Sequence, residues 1–415
     1  MKQFLVTEYS IFIILFCLLI LQAIPAANTH TLYAGADLAA SVQRAGRGDT
    51  VYINEGIYPV TGLRIDKEIT LIGRGRAVLL ADAPGDILSV QHDRVTIKNL
   101  TFRGTQTSFM KDYAAIKVEL SNQVTISGCT FENNFFAIYF SNSSGSVVTN
   151  NTLTGSGKKE SSSGNGIHLW NCRNITVEGN TVSNHRDGIY LEFTKETRIK
   201  RNKSFGNLRY GLHFMFSDSC RYTANTFNKN GAGVAVMYST NIEMTKNSFS
   251  ENNGTTSYGL LLKDIRQSII ADNQFLRNTI AVYIEASSRI HFTGNILQGN
   301  GTAIKIMANS ESNSFLSNSF LNNSFDVASN SRQNYNEYKR NYWDTYSGYD
   351  LNKDGVGDVP HSPVRLSSVI TAKYPSSIIL MRSFFMGIID MTEKIFPAFT
   401  PSDLTDTEPL MRRAL

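Results

Sequence analysis

The sequence predicts an all-β fold: a right-handed parallel β-helix of about 22 residues per coil, followed by a C-terminal helical tail. Two observations carry that prediction. A short segment returns along the chain with its inward positions apolar, as GIHLWNC from Gly166, GIYLEFT from Gly188, GLHFMFS from Gly211 and GVAVMYS from Gly233. Further copies start at Ala115, Ala137, Gly259, Ala281 and Ala303. Later in each coil an Asn precedes a second apolar strand, as at Asn180, Asn225, Asn247, Asn273, Asn295 and Asn318. Strict alternation within each copy marks a strand with one buried face. Asn residues spaced one coil apart predict a ladder of amide side chains along a turn. Helical solenoids need longer repeats and 3.6-residue periodicity, and neither is present.

Taken in order, residues 1–26 read as a signal peptide. Lys2 precedes an apolar run from Ile11 to Ile24, with small residues at Ala26 and Ala27. The run is shorter than the ~20 residues of a spanning helix, while Glu8 leaves an uncleaved anchor as the alternative. Such a signal predicts export, with the periplasm as the expected compartment of the resemblance described below. Residues 27–345 form the β-helix, and the segment from Leu38 to Ala45 is expected to be a short helix covering its open end, which is otherwise a bare sheet edge. The polar stretch SGKKESSSG (156–164) inserts into one coil and is expected to bulge, either as one wall of a groove or as a tolerated loop.

Residues 346–363 form an acidic Asp/Gly loop. Asp350, Asn352, Asp354 and Asp358 place oxygen donors at alternate residues around Gly355, as in the first part of a calcium loop. His361 stands where such a loop carries its bidentate Glu, so the alternative is an acidic turn that closes the solenoid. Residues 364–415 are expected to hold an amphipathic helix of about 20 residues between Pro375 and Pro397, then an extended tail. Ile379, Phe384, Ile388, Met391 and Ile395 share its apolar face, which either packs on the solenoid or docks on a partner.

Composition limits the function. The formal charge of +5 is spread along 415 residues, too dilute for nucleic acid. Cys129, Cys172 and Cys220 remain after cleavage, an odd number that gives no disulfide framework. Register is more informative, because it aligns side chains of the predicted outer face into columns. One column runs His168, Tyr190, His213, Ala235, and its neighbour runs Trp170, Glu192, Met215, Met237. An exposed His213 flanked by the thioethers of Met215 and Met237 is a soft site of the kind that selects Cu(I). His168, Trp170, Tyr190 and Glu192 can also line a binding groove on the same face. A flank covered by the C-terminal tail is the structural alternative.

Enzymatic readings find little support. Arg198-Ile199-Lys200 matches one fragment of a polygalacturonase set whose Asp pairs and GHG motif are missing. The only Asp cluster lies past the solenoid, where a lyase would not use it. His185, Arg186, Asp187 and Tyr190 can be arranged as an epimerase-type set, but His185 and Asp187 fall at a turn.

At this point GIYLEF, RYGLHFMFS, the GVAVMYS coil, NYWDTYSGYDLNKDGVGDVP and the Pro-Leu-Met tail resemble the NosD family, periplasmic maturation proteins of nitrous oxide reductase. The resemblance runs from about Leu32 to the end of the chain. It implies a non-enzymatic role in building the copper centre of that reductase. It also implies three partners: an inner-membrane ABC transporter, a copper-donating lipoprotein and the reductase, with the C-terminal tail as the element for the transporter. The choice of His213, Met215 and Met237 as copper ligands rests on softness and column geometry. The competing function is a secreted polysaccharide-binding or -modifying β-helix of lyase or epimerase type.

Overall fold

Alternating apolar residues drive each coil into three short strands that share one interior. The coil of Ala114–Glu119, Thr125–Ser127 and Thr130–Glu132 is typical. In the computed structural model, which describes residues 27–413 except 158, 255–256, 332, 375, 378–382 and 396–403, such coils stack into a parallel β-helix. The signal peptide expected over 1–26 lies outside the described residues. Ile138, Ile167, Ile189, Leu212 and Val234 pair in successive coils and are fully buried, so the inward column is as predicted. Aromatic side chains stack along the interior, with Phe249 on Phe275 at 4.6 Å and Phe320 on Trp343 at 4.0 Å.

The Asn ladder is present and explains the turn. Asn225 donates from both its backbone N–H and Nδ2 to Asn247 Oδ1 (2.9 and 3.0 Å), and Nδ2 also donates to the Ile199 carbonyl. The same pattern runs from Asn151 through Asn180 and Asn202 to Asn318 and Asn341. Cys129 occupies this column at its N-terminal end, where its N–H donates to Asn151. Its buried thiol is pushed up to about 12, as are those of Cys172 and Cys220. A second ladder through Asn207, Asn230, Asn252, Asn278, Asn300 and Asn323 was not foreseen. Its first member is His185, whose N–H donates to Asn207 Oδ1.

Both ends of the solenoid are covered. At the N-terminal end the helix Leu38–Arg44 buries Leu38 and Val42, capped by Asp37 accepting from Ala40 N–H. At the C-terminal end the tail returns to the last coil. Asp406 is fully buried and its Oδ2 accepts from Asn341 N–H, Asn341 Nδ2 and Trp343 Nε1 at 2.9–3.0 Å, taking the place of the next Asn. Leu410 N–H donates to the Asn341 carbonyl, and Met411 N–H to that of Gly355.

Of the helix expected between Pro375 and Pro397, part lies outside the described residues. A helix at Leu366–Lys373 (LSSVITAK) was unforeseen, since its sequence carries no apolar periodicity. A second spans Phe384–Ile395, and the two are joined by Glu393 accepting from Leu366 N–H at 2.9 Å. Ile379, assigned to the apolar face, lies outside the described residues. Phe384, Ile388, Met391 and Ile395 do lie on one face, and that face is exposed. No helix of the described residues is long and apolar enough to cross a membrane.

Candidate functional site

The outer face is organised by three glycines. A Cβ at Gly188 would stand 2.1 Å from Ser204 Oγ and 2.6 Å from the Gly211 carbonyl, and one at Gly211 would stand 2.7 Å from that of Gly233. Close backbone approach therefore requires glycine at the start of these strands. The strand pairing skips each of these glycines, which brings Asp187 and Tyr210, just before them, beside Tyr190 and His213, just after.

The column through His168 and His213 is not exposed, contrary to expectation. Tyr139, His168, Tyr190 and His213 form a ladder of rings with centroids 4.5–4.8 Å apart, and Tyr210 lies 4.8 Å from His213 on its far side. Rings at that spacing exclude water from one another, so His168, Tyr190 and His213 are only 7, 8 and 5% exposed. Trp170, at 36%, stands at the rim, while Glu192, Met215 and Met237 are half-buried. Met215 and Met237 are register partners, and the Tyr190 hydroxyl donates to Met215 Sδ at 3.7 Å.

The two histidines differ in the partners of their Nδ1 atoms. His213 Nδ1 faces Asp187 Oδ2 at 3.4 Å, a long contact that favours the tautomer with the proton on Nδ1. Its Nε2 is then a lone-pair donor, and it is buried without a partner. Asp187 is completely buried. Burial favours its neutral acid, but hydrogen bonds from Arg209 (Nε to Oδ1, 2.8 Å) and His213 outweigh that and hold the carboxyl below its usual range. Carboxylate–imidazole pairs of this kind orient metal-binding histidines. Asn165 Nδ2 lies 3.3 Å from His168 Nδ1, and His168 Nε2, like that of His213, is buried without a partner. Burial lowers its pKa to about 3, which keeps it neutral. His168 packs between Tyr139 and Tyr190 as an aromatic rung, while His213 shares its strand with Met215.

Asp187 and Arg209 were missed as parts of this site. The signal was present in the alignment of Arg186-Asp187-Gly188 with Arg209-Tyr210-Gly211. Beyond the methionines, Phe193, Phe216 and Tyr238 stack at 5.2 and 5.0 Å in left-handed conformation (φ 50–53°), each partly exposed. Such a conformation costs about 1–2 kcal/mol for a non-glycine residue. These rings extend the soft surface outward from Met215 and Met237.

The other candidates lie elsewhere. Asp350 accepts from the N–H groups of Asp354 and Gly355, Asn352 from that of Asp354, Asp354 from that of Val356 and Asp358 from that of Leu351. The acidic loop is thus closed by its own backbone donors. Among the described residues no three His, Cys, Asp or Glu side chains are gathered as a metal group. His361 packs against Trp343 and Tyr346, and burial lowers its pKa to about 4.

Comparison with known proteins agrees with this architecture. The family model described as "Periplasmic copper-binding protein (NosD)" matches residues 47–162 and 154–348. Two curated proteins named "Probable ABC transporter binding protein NosD" are similar over most of their length. The one from Pseudomonas aeruginosa is 28% identical, over 84% of this chain and 85% of its own. That from Stutzerimonas stutzeri is 26% identical, over 81% of both. Among solved structures, a Streptomyces thermodiastaticus α-1,3-glucanase catalytic unit overlays with a TM-score of 0.57 at 14% identity, over 74% of this chain and 66% of that one. The A-module of an Azotobacter vinelandii mannuronan C-5 epimerase overlays with a TM-score of 0.50 at 14% identity, over 74% and 90%. At such identity these two share the fold alone.

Proposed function

This chain belongs to the NosD family, and from that premise we propose that it is a periplasmic, non-enzymatic assembly protein that guides Cu(I) to the copper centre of nitrous oxide reductase. Copper is its cargo. The observation that carries the reading is the buried, unpartnered Nε2 of His213, set on the strand that presents Met215, with Met237 as that residue's partner in the next coil. One imidazole and two thioethers form a soft set suited to Cu(I). Asp187, itself held by Arg209, orients the imidazole and fixes its tautomer. The exposed rings of Phe193, Phe216 and Tyr238 and the rim residue Trp170 offer the contact surface for a copper-donating lipoprotein or the reductase.

The relatives' name supports an ABC transporter as the membrane partner. The element we assign to it is the exposed apolar row Phe384, Ile388, Met391 and Ile395. The tail residues 404–411 are engaged with the last coil, so the helix replaces the tail as the docking element. Calcium at Asp350, Asn352, Asp354 and Asp358 is a separate proposal from the oxygen pattern, in which the cation adds to a turn already closed by hydrogen bonds.

The test is anaerobic Cu(I) titration against a chromophoric competitor, together with copper loading of the reductase in cells. Replacing Met215 and Met237 together by Leu should leave folding and export intact and lower both readouts. Unchanged loading and affinity would overturn the copper-face assignment.

A further inference from the structure

We propose that a cavity at the corner of the solenoid, separate from the His213 face, binds a neutral saccharide unit. It lies where two insertions, at 104–113 and 156–164, cross one coil. Thr105 and Thr107 supply one wall, Asn133 to Phe135 the floor, and Ser162 to Gly164 the other wall, with Asn184 and His185 closing the far end. Its volume is about 490 Å³, within the range of small-molecule sites, and it suits a mono- or disaccharide segment.

The cavity is built rather than left over. Thr107 Oγ1 donates to the Ser162 carbonyl at 3.1 Å, which joins the two insertions. Gly155 and Gly164 let the second insertion lie directly on the coil. A Cβ at Gly155 would stand 2.3 Å from the Asn184 carbonyl, and one at Gly164 would stand 2.3 Å from that of Phe135. The insertion at 156–164 therefore shapes this corner.

Its lining selects the ligand class. The polar side chains are hydroxyls and amides, with one imidazole that burial keeps neutral (pKa about 4). No Asp, Glu, Lys or Arg side chain lines the cavity among the described residues. A charged ligand would lose its hydration with no counter-charge in return, and an apolar one would leave hydroxyls and amides dry. Ser163 Oγ and His185 Nε2 lie buried in its wall, both without a partner. The exposed Asn133 and Asn184, in left-handed turns (φ 53° and 58°), offer paired donors and acceptors, and the half-buried Phe135 ring offers an apolar side. A sugar presents that combination, with hydroxyls at its edge and C–H groups on its faces.

The experiment is calorimetric titration of the exported chain. The ligands are neutral oligosaccharides of glucose, mannose and N-acetylglucosamine, with oligomannuronate and oligogalacturonate as charged controls. At least one neutral series should bind with a Kd of about 1 mM or tighter, and the acidic ones at least tenfold more weakly. Asn133→Gly and Asn184→Gly, which keep the left-handed turns, should each weaken binding severalfold while melting temperature and Cu(I) affinity stay unchanged. Failure of every neutral oligosaccharide to bind would overturn the proposal. So would equal binding of the acidic ones, or variants that bind as the parent does. None of these variants touches the copper donors, so the two readings fail separately.

Discussion

Removing the Asp406 carboxylate should detach the tail and fray the last coil. Asp406 Oδ2 accepts three hydrogen bonds, from Asn341 N–H, Asn341 Nδ2 and Trp343 Nε1, and Oδ1 accepts a fourth from Glu408 N–H at 3.1 Å. Asn341 and Trp343 are 0% and 1% exposed, so Asp406→Ala leaves Asn341 N–H and Trp343 Nε1–H without an acceptor and Asn341 Nδ2 with the Phe315 carbonyl alone. At about 1–3 kcal/mol for each unsatisfied buried donor, and with fraying at an end admitting water, the cost is about 3–5 kcal/mol. Solenoid stability is a sum of neighbouring interfaces, so the loss should be local. Hydrogen exchange should rise at Tyr338 to Trp343 and at the tail, while the coils from Gly166 to Gly233 keep their protection. Asp406→Asn is the discriminating control, because an Asn carbonyl accepts the same two bonds at every other rung, as Asn341 does from Asn318. It should cost less than about 1 kcal/mol. A neutral Asp406→Ala, or an Asp406→Asn as damaging as the alanine, would refute the ladder-terminus account.

Three further outcomes follow from the same structure. His168, His185 and His361 are buried, and their pKa values are lowered to about 3, 4 and 4 against an unfolded value of 6.5. The unfolded chain thus binds the extra protons, so stability is complete above pH 6.5 and falls below it, by about 2 kcal/mol per histidine at pH 5. Urea midpoints at pH 7.5 and 5 check this. His185→Asn, which continues the second Asn ladder, should recover its share, and equal midpoints for the parent would contradict it. Chelation of calcium should leave the melting temperature unchanged, because backbone donors close the acidic loop; a fall of several degrees would show that the cation holds it. Phe384→Glu with Met391→Glu should leave folding intact but reduce co-purification with the transporter from membranes. Undiminished recovery would remove this helix as the docking element.

Much of the architecture was legible because a β-helix repeats its physics. Period-2 alternation identified the inward column, and the recurring Asn identified the first ladder. The second ladder was equally regular, at Asn207, Asn230 and Asn252, but went unread because only the first Asn of each coil was aligned. On the outer face the columns are legible and their exposure is not. Alternation shows that His168, Tyr190 and His213 point outward; it cannot show that stacked rings in adjacent coils bury one another. Asp187 was assigned to a turn because glycine at the next position breaks the alternation that would have placed it beside His213. At the C-terminus, Asp406 lies far along the chain from Asn341, and no local pattern announces that a tail carboxylate replaces the next rung.

The central claim, that His213, Met215 and Met237 receive Cu(I), is tested most directly by X-ray absorption at the copper edge on the Cu(I)-loaded chain. The account predicts one equivalent of Cu(I) in a mixed shell of one imidazole nitrogen and two sulfurs, with the sulfur contribution lost in the Met215→Leu, Met237→Leu double variant. A shell of nitrogen and oxygen alone, or a sulfur shell that survives in that variant, would contradict it.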